Sequence, residues 1–309
     1  MLAALATVRT ATAAPREIRV DWATYNPVSL VLRSQGLLEA EFGRDIAVRW
    51  VQSAGSNKAL EFLNASSLDF GSTAGAAALI ARANGNPIRS VYVFSKPEWT
   101  ALVTKGDSAI RTVADLRGQR IAVTRGTDPH IFLIRALAEA GLSERDVKLV
   151  LLQHADGRTA LERGDVAAWA GLDPIMASAE VEGGARLFHR KPASNTWGVL
   201  NVRDAFAAEH PEIVARVLAR YEQARVWAVT NPDALKEMLM TATKLPEAVV
   251  ARQLERTGLA SGRIGAAQAD TIIEAGRALQ AAGVLDAGLD IAALTGTLIN
   301  TAFADRLAA

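Results

Sequence analysis

Four short phrases set small hydrogen-bonding residues between an apolar run and a helix-like run. They are Trp22-Ala-Thr-Tyr25-Asn26-Pro27, Gly71-Ser72-Thr73, Gly126-Thr127-Asp128-Pro129-His130 and Gly171-Leu172-Asp173-Pro174. The chemistry open to such a set is non-covalent. The first N–H groups of a helix lack partners and carry partial positive charge, so a helix start with hydroxyls beside it can seat an anion. One such phrase is an ordinary strand-to-helix connection. Several in one chain, without a catalytic triad, favour a cleft lined with helix ends. Covalent and metal chemistry find little to use. The chain has no cysteine, which excludes catalytic thiols, disulfides and Cys-ligated metals. The four histidines, His130, His154, His189 and His210, are widely spaced, and no H-E-x-x-H, G-x-S-x-G or P-loop pattern occurs. The reading is of no catalytic residues, no metal ligands and no cofactor.

The third phrase has the best-defined surroundings. Ile121–Val123 reads as a strand and Thr124–Asp128 as a tight turn. Asp128 suits an N-cap, and Pro129 suits a first helical position. Apolar residues at Ile131, Ile134 and Ala138, and at Leu133 and Leu137, keep helical spacing, and Gly141 supplies the stop. Before it, strands are predicted at Glu17–Asp21, Ile46–Val51, Leu68–Gly71 and Arg89–Ser95. Between them fall helices from Pro27 to Gln35, from Lys58 to Leu63 and, opened by Ser72 and Thr73, from Ala74 to Ala83. The stretch after Gly36 reads as a turn and connector. A strand at Ala101–Thr104 leads into a restart of the pattern. That restart has strands at Ile121, Val147–Leu152 and Ala167–Ala170, with helices at Pro129, Arg158–Arg163 and Pro174–Val181. It ends at a strand over Val199–Val202. Beyond Arg203 the chain is nearly all helical, with starts at Pro211, Pro232, Pro246 and Ala266, and reads as packing. Strands alternating with helices argue for α/β layers around a mostly parallel sheet, with ligands at the carboxyl ends of the strands.

A length of 309 residues suits two domains, and with 50% hydrophobic and 22% charged residues a sizeable core is expected. The net charge is +1 and no long Lys/Arg run appears, so nucleic acid and acidic membrane surfaces are poor partners. No run of about eighteen apolar residues is present to span a membrane. Residues 1–14, small and apolar and followed by Pro15, look like the remnant of a secretory signal with an A-x-A site. The positive n-region is missing and Arg9 interrupts the apolar run. A periplasmic location is expected.

Three phrases carry a resemblance: LEFLNASSLDFGSTAGAAALIARANGNPI, SAIRTVADLRGQRIAVTRGTDPH and ALERGDVAAWAGLDP. With the signal-like start they resemble periplasmic solute-binding proteins of ABC importers for aliphatic sulfonates. Relatives of that group bind nitrate, taurine or thiamine-pyrimidine precursors. The resemblance implies the type II periplasmic-binding-protein fold, two doubly wound α/β lobes joined by two crossover strands. The crossings would fall near Leu102–Thr104 and Val199–Val202. Lobe one would be residues 15–103 and 204–309, and lobe two residues 104–203. It also implies a ligand trapped between the lobes by hinge closure, and delivery to a membrane permease for sulfur acquisition. A monomer is expected.

A sulfonate stays anionic, offers three acceptor oxygens and has no donor. The Ser72, Thr73 and Thr127 hydroxyls, with N–H groups at Thr73, Ala74 and His130, meet that need. At about 1.5–3 kcal/mol for each bond to a charged group, three or four give micromolar affinity or better. His130 is either a charge-assisted donor or a polar helix-start residue facing solvent. Asp128 and Asp173 argue against an anion close by, and N-capping is the expected role of both. Asp173 has two alternatives: holding a donor in place across the cleft, or meeting an amino group on the ligand. For the organic tail the candidate walls are Trp22, Tyr25, Trp99 and Trp197, with Gln35 and Ser56 as further lobe-one candidates. Trp50, Trp169 and Trp227 read as core. The competing readings are a binder of nitrate, taurine or a pyrimidine precursor, an enzyme on the same fold, and the effector domain of a regulator. The last needs a DNA-binding helix pair that fourteen signal-like residues cannot supply.

Overall fold

The computed structural model describes residues 14–304, so the signal-like residues 1–14 lie, but for Ala14, outside the described residues. The first part of the chain runs β1 (Glu17–Trp22), α1 (Pro27–Ser34), α2 (Leu37–Phe42), β2 (Ala47–Gln52), α3 (Ser56–Asn64), β3 (Phe70–Ala74), α4 (Gly75–Ala83) and β4 (Ile88–Pro97). The middle runs β5 (Leu102–Thr104), β6 (Arg120–Val123), α5 (Asp128–Glu139), β7 (Lys148–Leu151), α6 (His154–Arg163), β8 (Ala168–Ala170), α7 (Ile175–Val181) and β9 (Arg186–His189). Then follow β10 (Gly198–Arg203), α8 (Asp204–Glu209), α9 (Pro211–Thr230), α10 (Pro232–Thr243), α11 (Glu247–Glu255), β11 (Thr257–Gly258), α12 (Ala266–Ala281) and α13 (Ile291–Leu298).

The strands form two sheets, ordered β11-β4-β10-β3-β1-β2 and β7-β6-β8-β5-β9. These are two α/β lobes. The chain crosses between them twice, between β4 and β5 and between β9 and β10. In the first sheet β1 pairs in parallel with β2 and β3, while β10 runs antiparallel between β3 and β4. In the second, β6 pairs in parallel with β7 and β8, and β5 is antiparallel to β8 and β9. The sheets are thus less uniformly parallel than the strand–helix alternation suggests, because each contains a strand on the crossover path.

Burial follows the strand period of two. Ile121 and Val123 face one core of the five-stranded sheet, with Phe132, Leu133 and Leu137 of α5, while Ala122 faces the other with Trp169 and Leu161. The six-stranded sheet packs Ile18, Val20, Phe70 and Val93 into the largest core, which also takes Ile131, Ile134 and Leu172 from the other lobe. α5 therefore buries one face in its own lobe and another against its neighbour. Its stop at Gly141 has φ +69°, a conformation glycine adopts at little cost. Among the described residues no helix is long and apolar enough to cross a membrane.

Four local expectations change. The connector after Gly36 contains a helix, α2, a short one without a side-chain cap. β9, a half-buried edge strand of four residues, carries no clear alternation. Ser72 and Thr73 lie inside β3, and helix α4 begins three residues after Ser72, at Gly75. The cap of α5 is Thr127, with Asp128 already the first helical residue and Pro129 the second. Asp128 is displaced from capping because its carboxylate is drawn elsewhere.

Candidate functional site

At the carboxyl ends of the strands the lobes meet around one small cavity, lined by Tyr25, Ser56, Trp99, Thr127, Asp128, Pro129 and Leu172. Ser56 opens α3 on one side and Thr127 caps α5 on the other, so two helix N-termini from different lobes bound one space. The Ser56 hydroxyl oxygen accepts from the Ala74 N–H at 3.0 Å, which leaves its own proton to give. Tyr25 and Trp99 meet edge to face at 5.9 Å and form the aromatic wall. Leu172 extends it from the β8–α7 loop. The cavity measures about 10 Å³, room for a single water molecule. A pocket that encloses a small organic ligand is roughly 300 Å³ or more, so admission requires the lobes to part. Larger hollows, such as that between Arg82 and Asn300, lie elsewhere, and there Arg82 and Arg89 are both paired with Asp204.

Most donors around the cavity are committed within the chain. The Tyr25 hydroxyl donates to the Ser72 carbonyl at 2.9 Å, and the Thr127 hydroxyl donates to the Thr124 carbonyl at 2.7 Å. Asp128 takes three donors from the two crossover segments. These are Trp99 Nε1–H at 2.8 Å, the Thr196 N–H at 3.1 Å and the Thr196 hydroxyl at 2.8 Å. The carboxylate thereby ties the start of α5 to both crossovers. Burial pushes its pKa above the ordinary carboxylate value even so, because those donors are neutral.

Of the twelve residues predicted to bind, four line the cavity: Tyr25, Ser56, Trp99 and, with its hydroxyl turned to the backbone, Thr127. The others lie elsewhere for identifiable reasons. Ser72 hydrogen-bonds Asp21 and accepts from Asn26 Nδ2 at 2.8 Å, and Thr73 accepts from Asn201 Nδ2 at 2.8 Å. The start of α4 is filled from within, by Ser56 on the Ala74 N–H, the Trp197 carbonyl on the Gly75 N–H and Thr196 Oγ1 on the Ala76 N–H. The Ala74 N–H proposed for an anion is thus taken, as are the first two of the helix. The His130 N–H donates to the Thr127 carbonyl, and its ring turns to Glu144 at 2.9 Å. It is buried rather than facing solvent, and burial lowers its pKa.

Trp22 stacks under Arg33 at 4.5 Å, Trp197 lies under Lys96 at 5.3 Å, and Gln35 sits at the C-terminal end of α1. Asp173 accepts from the Ala177 N–H in the first turn of α7 at 2.8 Å, and also holds Arg256 at 3.4 Å. Arg256 precedes β11 of the six-stranded lobe and also pairs with Glu180, so the C-terminal part is more than packing: it reaches across to the other lobe. Burial raises the Asp173 pKa to about 7, with Arg256 pulling the other way. Sequence reasoning missed Arg256, Thr196 and Asp21, whose roles arise only from long-range contacts.

The fold defines a two-lobed binding protein, with chain crossovers beside the cavity. The NMT1/THI5 like family model matches residues 43–235, and the chain belongs to that family. It is 30% identical over 247 residues to an Escherichia coli (strain K12) protein named "Putative aliphatic sulfonates-binding protein", covering 79% of this chain and 77% of that one. Among solved structures it is similar to the alkanesulfonate-binding protein SsuA from Xanthomonas axonopodis pv. citri bound to MOPS. That match has 27% identity and a TM-score of 0.83, over 93% of this chain and 99% of the other. The periplasmic aliphatic sulphonate binding protein SsuA from Escherichia coli matches at 27% identity and a TM-score of 0.75, over 90% and 91% of the two chains. The desulfurization enzyme DSZB, at 16% identity and a TM-score of 0.68 over 94% and 98%, shares the fold.

Proposed function

We propose that the protein is the periplasmic solute-binding component of an ABC importer, and that it captures aliphatic sulfonates between its lobes and delivers them to a membrane permease. The observation that carries this is the make-up of the small cavity where α3 and α5 meet between the lobes. Two helix N-termini and the Ser56 hydroxyl suit the three oxygens of a sulfonate. Tyr25, Trp99 and Leu172 suit its organic tail. Relatives named for sulfonate binding support the same ligand class and the same location. Nitrate has no tail to use such a wall. Relatives named for binding favour this reading over an enzyme on the same fold. The division into residues 15–103 with 204–309, and 104–203, is the lobe boundary we adopt with two shifts: β5 goes to the middle lobe and β10 to the other, where their sheets lie.

The test is thermal unfolding with a panel: a linear alkanesulfonate, a bulky sulfonate buffer, taurine, nitrate, sulfate and a pyrimidine. A ligand that binds only the folded state raises the midpoint by mass action, equivalent to about 2.7 kcal/mol at a hundred times Kd. A rise with alkanesulfonates and none with nitrate or sulfate is expected. A rise with nitrate alone moves the assignment to that anion, and no rise with any sulfonate refutes the reading.

A further inference from the structure

A buried sulfonate needs either many converging donors or a counter-charge. The cavity wall offers neither in full. The Tyr25, Trp99 and Thr127 side-chain donors are spent on Ser72, Asp128 and Thr124. The one carboxylate in the wall, Asp128, has the wrong sign. Arg256, the buried cation that bridges the lobes, is held by Asp173 and Glu180.

Arg125 is uncommitted. It lies between β6 and α5, three residues before Asp128, is exposed, and makes no hydrogen bond or ion pair with any described residue. Its charge bears on His130, where it acts with burial against protonation while Glu144 acts for it. Arg125 lines a groove of about 350 Å³ with Asn57, Thr124, Gln153 and Asp156 among its neighbours. Among the residues lining the cavity and this groove it is the only cation.

The groove adjoins the cavity. Asn57 follows Ser56, Gly126 separates Arg125 from Thr127, and a Cβ built on Gly126 would lie 4.0 Å from that of Asn57. The first turn of α3 and the loop before α5 thus form a lip, with the cavity on one side and the groove on the other.

The lip is also short of donors. Thr124 Oγ1 gives its proton to the Leu152 carbonyl, so the contact between Thr124 Oγ1 and His154 Nδ1 at 3.2 Å requires the imidazole to donate there. Neutral His154 then presents a bare lone pair at Nε2. That atom and Asn57 Oδ1 are buried without partners, 3.0 and 2.9 Å from where a Cβ of Gly55 would stand.

We propose that Arg125 is the charge partner of the captured sulfonate. Its guanidinium closes over the lip, giving one pair of N–H groups to the sulfonate oxygens and another to Asn57. In the open molecule its field draws the anion to the cleft. The inference rests on the sulfonate reading above. A guanidinium suits the task because its planar fork of donors matches an oxyanion at two points while facing a second acceptor. Asp156 lines the same groove without pairing with Arg125, and its negative charge opposes an incoming anion.

The test uses the full chain, butane-1-sulfonate as probe, and the variants Arg125→Gln, Arg125→Lys and Asp156→Asn. Equilibrium titration gives affinity, and stopped-flow tryptophan fluorescence gives the association rate from about 0.01 to about 0.3 M salt, where the screening length falls several-fold. Arg125→Gln should weaken binding about tenfold or more and flatten the salt dependence of association. Arg125→Lys should recover much of the salt dependence, as a purely structural role would not. Asp156→Asn should tighten binding slightly. The unfolding midpoint without ligand should be the same in all, since Arg125 and Asp156 are exposed. Wild-type affinity and salt dependence in Arg125→Gln overturn the proposal alone. A wild-type protein that binds no sulfonate overturns the importer reading, and this inference with it.

Discussion

Asp21→Asn should reverse its effect on stability with pH. The Asp21 side chain is fully buried, and its oxygens accept from the Ser72 N–H and hydroxyl, both at 2.9 Å. No cation pairs with it among the described residues. Burial lifts its pKa from 3.8 to about 6. A carboxyl raised in this way keeps its proton in the folded state over that window while the unfolded chain has lost its own. Stability therefore falls as pH rises from about 4 to about 6, and stays at the lower level above it. At about 1.4 kcal/mol per pH unit, the loss attributable to Asp21 is about 3 kcal/mol.

Asparagine does not titrate. Its carbonyl can still accept from Ser72 N–H, but its amide then faces a Ser72 hydroxyl that already accepts from Asn26. That mismatch costs about 1 kcal/mol. The variant should be less stable than wild type by about 1 kcal/mol at pH 4, and more stable by about 2 kcal/mol at pH 8, with a crossing near pH 5. Urea unfolding followed by tryptophan fluorescence at intervals between these pH values measures it. Parallel stability curves at every pH would refute the reasoning, since Asp21 would then carry the same proton occupancy folded and unfolded.

Three further outcomes are expected. Arg256→Gln leaves Asp173 and Glu180 without their buried cation, and should cost about 3 kcal/mol of unfolding free energy at pH 8. The cost should shrink toward pH 5, because Asp173, raised to about 7, then holds a proton; a pH-independent loss contradicts this. Ser56→Ala should weaken sulfonate binding about tenfold, as loss of one bond to a charged group, and calorimetry showing unchanged affinity removes the α3 start from the site. His154, whose pKa burial lowers to about 4, should show no imidazole titration by NMR between pH 5 and 8. Its contribution to stability has the opposite sign to that of Asp21, rising as pH climbs from about 4 to about 6.5. A midpoint near 6.5 would mean that the ring is accessible to water.

What the sequence made legible is the part set by local chemistry. Pro129, the apolar spacing after it and Gly141 mark α5 within one turn, because proline, periodicity and a left-handed stop act over neighbouring residues. The two-lobed α/β class follows from the alternation of elements and from the resemblance. Tyr25, Ser56, Trp99 and Thr127 were findable because they stand at helix starts, strand ends or crossings. Ser72 and Thr73 read as a helix start because small polar residues serve equally there and in a buried strand. What decides between the two is Asp21, fifty-one positions away, and Asn201, farther still. Asp128 was misread for the same reason: Trp99 and Thr196 outbid the local capping role, and neither is near it in sequence. Arg256 lay in a run of helices with no local sign that its side chain would cross to Asp173.

The position of β10 sets an order on folding. It lies between β3 and β4, which precede it by about a hundred residues, and pairs with both. Until Gly198–Arg203 arrives, the six-stranded sheet is split, with unpaired edges on β3 and β4. The five-stranded sheet draws all its strands from one continuous stretch, Leu102 to His189. Closing the larger sheet must wait for a distant partner, a slow step when pairing is non-local. During synthesis the middle of the chain can therefore acquire its structure before the beginning does, and a growing chain stopped short of residue 198 would hold its first ninety residues without a finished core.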